Sequence, residues 1–145
     1  MKVSLITVCF RSAGVIRGAI ESVLAQKGVD VDYIVVDGGS NDGTVEILKE
    51  YESKFAGRMR WISERDEGMY DALNKGIKMA EGDVVGILNA DDILEDENTL
   101  AFIASSFEPK VDCVYGDIRF VRGESKKTTR YYSSKRWRPW MHNWG

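Results

Sequence analysis

Four short runs rich in Val and Ile, each ending in polar or charged residues and each separated from the next by a helical pattern, constrain the fold of this chain most. They are Val3–Phe10, Asp32–Val36, Arg60–Ser63 and Asp83–Leu88. Runs of this length and composition predict buried strands. Between them, apolar residues recur at helical spacing. Val15, Ile16, Ala19, Ile20, Val23 and Leu24 mark a helix over Ala13–Gln26, which Gly28 ends. Val45, Ile47, Leu48 and Tyr51 mark one over Thr44–Phe55, and Met69, Leu73, Ile77 and Ala80 one over Gly68–Ala80, with those four turned inward. Asn98–Phe107 reads as a fourth helix stopped ahead of Pro109. Asp112–Val121 reads as a fifth strand, with a turn at Gly123 and Lys127–Tyr132 as its hairpin partner. This alternation predicts an α/β fold with a mainly parallel central sheet, helices on both faces and right-handed crossovers.

A chain of 145 residues with 43% hydrophobic and 30% charged residues has the size and composition of one globular domain with its own core. A net charge of −3 supplies no bulk attraction to nucleic acid, and no nucleic-acid partner is expected. The charge is uneven. From Lys126 to Gly145 there are six Lys or Arg and no Asp or Glu, with Trp137, Trp140 and Trp144 among them. Such a tail suits a phosphate, an anionic membrane surface, a second subunit or a further segment of the protein. Cys9 and Cys113 both fall in apolar runs and are expected to be reduced and buried. Two Cys and the single His142 do not make a zinc site of the usual composition. No apolar stretch approaches the roughly 20 residues of a membrane span. A strand pattern begins directly after Met1 and Lys2, so the expectation is a cytoplasmic protein, with a peripheral position at the inner face of a membrane left open.

In a parallel sheet, ligands bind at the carboxyl ends of the strands. Those ends here carry Cys9-Phe10-Arg11, Asp37-Gly38-Gly39-Ser40, Glu64-Arg65-Asp66 and Asn89-Ala90-Asp91-Asp92, so three of four are acidic. Neither glycine-rich phosphate fingerprint is present. A bound nucleotide would therefore be held by carboxylates, backbone amides and a divalent cation, Mn²⁺ or Mg²⁺, which hard oxygen ligands favour. Asp37 has two readings. It accepts from a uracil or guanine N–H and from ribose hydroxyls, or it satisfies the amides of its own turn. Ser40, Asp42 and Thr44 read as helix caps. Asp91 is the metal candidate. Asn89 reads as a ribose or weak metal contact, and Asp92 as a donor-sugar contact or a cap. Asp71 and Lys75 form an i,i+4 pair, while Asn74 and Gly76 are both unfavourable in a helix and point to close packing or a ligand contact.

Taken together, V-S-L-I-T-V-C-F-R at 3–11, V-V-D-G-G-S-N-D-G-T at 35–44, D-E-G-M-Y-D-A-L-N-K-G-I at 66–77 and G-D-V-V-G-I-L-N-A-D-D at 82–92 resemble the nucleotide-sugar-binding half of a family 2 glycosyltransferase of Rossmann-like GT-A fold. The four blocks stand in the family's order and spacing. The resemblance implies nucleotide contacts at Val8, Phe10, Asp37, Gly39, Asp66, Gly68, Asn74, Asn89 and Ala90. It implies a metal ligand at Asp91, the second acid of the family's D-x-D motif. It implies a domain over residues 1–121, followed at 122–145 by the start of an acceptor-side region. The chain departs from the commonest family pattern at four places: Val8-Cys9-Phe10-Arg11 stands for Pro-Thr-Tyr-Asn, Gly38 for a second Asp, Leu73 for an Arg, and Asn89 for the first acid of D-x-D. The variant pattern resembles a subgroup linked to bacterial polysaccharide or lipopolysaccharide assembly.

The expected activity is metal-assisted, inverting transfer from a nucleotide sugar, UDP-linked, to a hydroxyl of a sugar or lipid-linked acceptor. Only 53 residues follow Asp92, which suggests a truncated chain lacking the family's base. Asp117 is the remaining candidate base, against a structural role at a strand bend. Two rivals stand beside this reading: a fragment that binds UDP and metal without turnover, and a nucleotidyltransferase. The second would want a basic loop near the first strand, where only Arg11 and Arg17 occur. Oligomeric state is left open.

Overall fold

The structure, a computed structural model, describes residues 1–122 and 127–136 of the chain. Four strands, β1 (Lys2–Cys9), β2 (Asp30–Asp37), β3 (Met59–Ser63) and β4 (Val84–Ile87), form one parallel sheet in the order β3-β2-β1-β4. Three helices connect them: α1 (Ile16–Leu24), α2 (Thr44–Glu52) and α3 (Met69–Met79); α4 (Thr99–Ser105) follows β4. The sheet grows outward from β1 in both directions, so the strand order reverses between β1 and β4. Chains diverge there, and their carboxyl ends leave a crevice.

The central strands are apolar on both faces, as strands covered on both sides must be. Leu5, Cys9, Val31, Tyr33 and Val35 turn to one face and pack with Ile16, Ala19, Ile20 and Val23 of α1, Ile47, Leu48 and Tyr51 of α2, and Leu100 of α4. Ile6, Ile34 and Val36 turn to the other and pack with Ala72 of α3, flanked by Val8, Ile62, Leu73 and Met79. The helices thus lie on both faces, as the alternation predicts.

Three differences from the sequence reading have physical causes. The inward side of α3 is Ala72 and Gly76, while Met69 and Ile77 are about half exposed. Small residues let the helix approach the sheet closely: a Cβ on Gly76 would lie 2.6 Å from Ile6 Cγ2. Cys113 is exposed, unlike Cys9. The fifth strand begins only at Ile118 and stands outside the parallel sheet: β5 (Ile118–Arg122) pairs antiparallel with β6 (Lys127–Tyr132) in a sheet of their own. The hairpin expectation holds; the turn at Gly123 and the tail from Trp137 lie outside the described residues.

By compactness the chain divides into Met1–Ser106 and Phe107–Gly145. The first unit contains the whole parallel sheet and both apolar clusters. Among the described residues no helix is long and apolar enough to cross a membrane.

Candidate active site

The carboxyl ends of β1 and β2 are stitched together by their loops. Three successive backbone N–H groups of the loop after β1 donate to side chains of the loop after β2: Arg11 N to Ser40 Oγ at 2.7 Å, Ser12 N to Thr44 Oγ1 at 3.0 Å, and Ala13 N to Asp42 Oδ2 at 3.1 Å. Ser40, Asp42 and Thr44 therefore also link the two loops, besides their bonds within their own segment. The residue preceding α2 is Gly43, at φ 101°, with no side-chain cap. Asp42 also accepts from Thr44 N and Thr44 Oγ1.

Asp37 lies behind this wall. The parallel register sets Cys9, Asp37 and Ser63 side by side at the ends of β1, β2 and β3. The Asp37 carboxylate is fully buried and accepts from Ser63 Oγ (2.6 Å), Ser40 Oγ (2.5 Å), Ser40 N (2.8 Å), Gly39 N (3.1 Å) and Cys9 Sγ (3.6 Å). Burial alone would raise its pKa. The donors, led by Ser40 and Ser63, outweigh burial and hold the carboxyl below the usual range. With its oxygens so engaged, Asp37 has the geometry of a loop-ordering acid. Gly39, at φ 81°, supplies one of those amides and lies outside the cleft lining. Burial, and next the Asp37 charge, push the Cys9 thiol up, so it stays a protonated donor.

The crevice at the strand-order reversal is a cleft of about 430 Å³. Its lining includes Val8 and Cys9 of β1, Phe10 and Ser12 of the loop after it, Asp66 and Gly68 of the loop into α3, Met69 and Ala72 of α3, and Asn89, Ala90 and Asp91 beyond β4. Seven of the residues named from sequence thus meet around one space: Val8, Phe10, Asp66, Gly68, Asn89, Ala90 and Asp91. Phe10 is 58% exposed and offers an aromatic face. Asp66 Oδ1 accepts from Gly68 N at 2.9 Å, and Gly68 enters α3 at φ 115°. The absence of a side chain at Gly38 makes room for Asp66: a Cβ there would lie 2.8 Å from Asp66 Oδ2 and 3.3 Å from Phe10 Cδ2. Asp66 also borders a second polar hollow with Arg65, Glu67 and Asp71.

The other named residues stand elsewhere. Asn74 is exposed on α3, away from the cleft lining. Asp92 closes a turn back onto Asn89, accepting from Asn89 Nδ2 at 2.9 Å while its own N–H donates to Asn89 O at 3.1 Å. Asp117, in the second unit, accepts from Tyr131 Oη and from Ser134 N at 2.6 Å. The hydrogen bond from Tyr131, followed by that from Ser134, lowers its pKa to about 2. That is a fixed structural acid at a strand end and a poor proton acceptor near neutrality. Cys9, Ser12, Met69 and Ala72 line the cleft without having been singled out; their only sequence signal is adjacency to residues that were.

Asp91 fits a divalent cation in part. It is exposed, a hard oxygen donor, and beside it Asn89 keeps its carbonyl oxygen while its amide nitrogen holds Asp92. Among the described residues no group of three or more His, Cys, Asp or Glu can hold a metal. One carboxylate and an amide oxygen are donors of the hard type that Mg²⁺ and Mn²⁺ take, with phosphate oxygens and water commonly completing such sites.

Comparison with known proteins decides the family. The family model described as Glycosyl transferase family 2 matches residues 4–143. The chain belongs to that family. A PGL/p-HBAD biosynthesis glycosyltransferase of Mycobacterium bovis is 35% identical over 118 residues, which is 79% of this chain and 46% of that protein. An uncharacterised glycosyltransferase of Mycobacterium tuberculosis is 38% identical over 100 residues, 68% of this chain and 37% of the other. The chain thus spans less than half the length of these relatives. Among solved structures, S. aureus TarS 1-349 in complex with UDP-GlcNAc superposes with a TM-score of 0.64 at 27% identity, over 72% of this chain and 30% of that one. The mannosyltransferase PcManGT from Pyrobaculum calidifontis, in complex with GDP-Man and Mn²⁺, gives a TM-score of 0.70 at 24% identity over 83% and 35%. The fold is that of GT-A glycosyltransferases, as the sequence blocks imply.

Proposed function

We propose that this chain is the donor-binding part of a glycosyltransferase that moves a sugar from a nucleoside diphosphate, UDP-linked, to a hydroxyl of a sugar or lipid-linked acceptor in polysaccharide or lipopolysaccharide assembly. The observation that carries the reading is the cleft at the strand-order reversal of a family 2 domain, where Phe10, Asp66, Asn89 and Asp91 converge. Phe10 offers a stacking face for a base. Asp66 offers an acceptor to an imide or amino N–H, and Asn89 a polar contact to ribose. The UDP-GlcNAc complex of TarS supports a uridine donor. Asp91, with the Asn89 carbonyl, would hold the cation. When bound, that ion would offset negative charge growing on the leaving diphosphate. Attack by the acceptor hydroxyl from the opposite face of the sugar would invert the anomeric centre.

Calorimetry with UDP and GDP, with and without Mn²⁺, tests this. The expected result is UDP binding that Mn²⁺ strengthens and that Asp91→Ala strips of its metal dependence. Absence of binding by both nucleotides would sink the donor reading. Unchanged Mn²⁺ dependence in Asp91→Ala would sink the metal assignment. A second reading, binding without turnover, is favoured by the commitment of Asp117 to Tyr131 and Ser134. Release of free sugar or a glycosylated product by these 145 residues would refute it.

A further inference from the structure

None of the residues lining the cleft is cationic, although Asp66 and Asp91 both face it. A diphosphate brings several more negative charges, and a single divalent ion leaves part of them unbalanced. The cations near the strand ends are not equally available. Lys75 is only 22% exposed and bridges Glu64 at 2.9 Å and Asp71 at 3.4 Å while donating to Arg65 O. Arg17 pairs with Glu50 at 2.8 Å. Arg65 borders the other hollow, among Asp66, Glu67 and Asp71. Arg65 and Arg11 both lack an ion pair among the described residues, and Arg11 alone of these cations has a cleft-lining residue on either side in sequence. It is exposed, pairs with no carboxylate among the described residues, and sits between two cleft-lining residues, Phe10 and Ser12. Its backbone is left-handed, at φ 50°, a conformation that costs a non-glycine residue energy and persists here with Arg11 N donating to Ser40 Oγ. The guanidinium rests 5.2 Å from the centroid of the Phe10 ring.

We infer that Arg11 is the diphosphate-binding cation of this cleft, held in place by its stacking on Phe10. The inference rests on the donor reading above and adds a residue to it. A guanidinium presents two parallel N–H donors to phosphate oxygens, and an aromatic face restrains it without neutralising it.

Arg11→Asn removes the charge and suits the backbone, since Asn tolerates positive φ. Arg11→Lys keeps the charge without the fork. Calorimetry of the full chain with Mn²⁺ present compares UDP with uridine for the wild type and both variants, a thermal melt confirming folding. The expected result is a loss of about tenfold or more in UDP affinity for Arg11→Asn, an intermediate loss for Arg11→Lys, and unchanged uridine affinity. Unchanged UDP affinity in Arg11→Asn would overturn the inference alone. An equal loss for uridine and UDP would also overturn it, because Arg11 would then act through the Phe10 platform. If Arg11→Asn fails to fold, Arg11→Lys decides by the same comparison: weakened UDP with unchanged uridine supports the fork, and unchanged UDP overturns it. A wild type that binds neither UDP nor GDP would remove the donor reading itself.

Discussion

Gly76 shows how much one missing methyl group does in this fold. Sequence alone left two reasons for a costly glycine inside α3, close packing or a ligand. The 2.6 Å approach of a Cβ to Ile6 Cγ2 selects packing. Ile6 is fully buried and β-branched, so it has little freedom to yield. Gly76→Ala is therefore expected to destabilise by about 1–3 kcal/mol through overpacking, despite the roughly 1 kcal/mol that alanine gains in a helix. Urea unfolding checks it, and the same change in an Ile6→Ala background should cost less than the sum of the two. Gly38 makes the corresponding case at the cleft. Gly38→Asp would set a carboxylate against Asp66 Oδ2, 2.8 Å from the position of the new Cβ. The expected outcome is a five- to tenfold weaker UDP affinity, about 1–1.4 kcal/mol, with the unfolding midpoint nearly unchanged. A loss of stability with unchanged affinity would show that Asp66 does not face the ligand.

At the scale of elements, the opposite end of the sheet is held by charge. Arg60 on β3 reaches Asp32 on β2 through Nε (3.1 Å) and Nη2 (2.8 and 2.9 Å), and the same carboxylate accepts from Ser4 Oγ on β1 at 2.7 Å. Arg60 Nη2 also donates to Met79 O at the end of α3, and Nη1 to Glu81. Three strands and a helix end meet around this one guanidinium–carboxylate pair. Asp32 is 5% exposed, so Arg60→Ala leaves a buried, poorly compensated charge. A loss of about 2–3 kcal/mol is expected, less than for a fully buried pair because Arg60 is partly exposed. Arg60→Ala with Asp32→Asn should recover part of it in the same unfolding assay. The strands that carry this network were legible because β-branched runs need no long-range information. The inward face of α3 was not: hydrophobicity pointed to Met69 and Ile77, whereas close approach selected Ala72 and Gly76. Asp112–Val121 was overread because a strand exists only where it is paired, and pairing with β6 begins at Ile118. The turn reading of Asp37 was open from sequence, but its full set of donors was hidden for a related reason. Two of its donors, Cys9 and Ser63, stand 28 and 26 residues away and become neighbours only through the sheet register.

For the whole molecule, both buried acids of the sheet behave alike toward pH. Burial would raise the pKa of Asp32, but Ser4 and Arg60 together lower it, and Asp37 is lowered in the same way by Ser40 and Ser63. In the unfolded chain an Asp titrates at about pH 3.9, the value of an unperturbed side chain. Between that value and the lower folded value the unfolded chain binds more protons than the folded one, so stability rises with pH across the interval. Both contributions are therefore complete above about pH 5 and are lost as pH falls through 4 and on toward the folded values. Urea midpoints measured at pH 7, 5, 4 and 3 should stay level over the first pair and fall over the second. The two ends of the sheet can be separated in the same series. Arg60→Ala weakens the lowering at Asp32, and Ser63→Ala weakens it at Asp37; each should flatten the acid limb, and their effects should add because they sit at opposite ends of β2. Asp37 also fixes the Ser40 hydroxyl that receives Arg11 N, so its protonation should loosen the cleft wall before the sheet unfolds. UDP affinity is then expected to hold while the urea midpoint first declines near pH 4, and to fall only as pH approaches the lowered folded value of Asp37. Loss of binding and of fold at one pH would show that the loops after β1 and β2 do not open separately from the sheet.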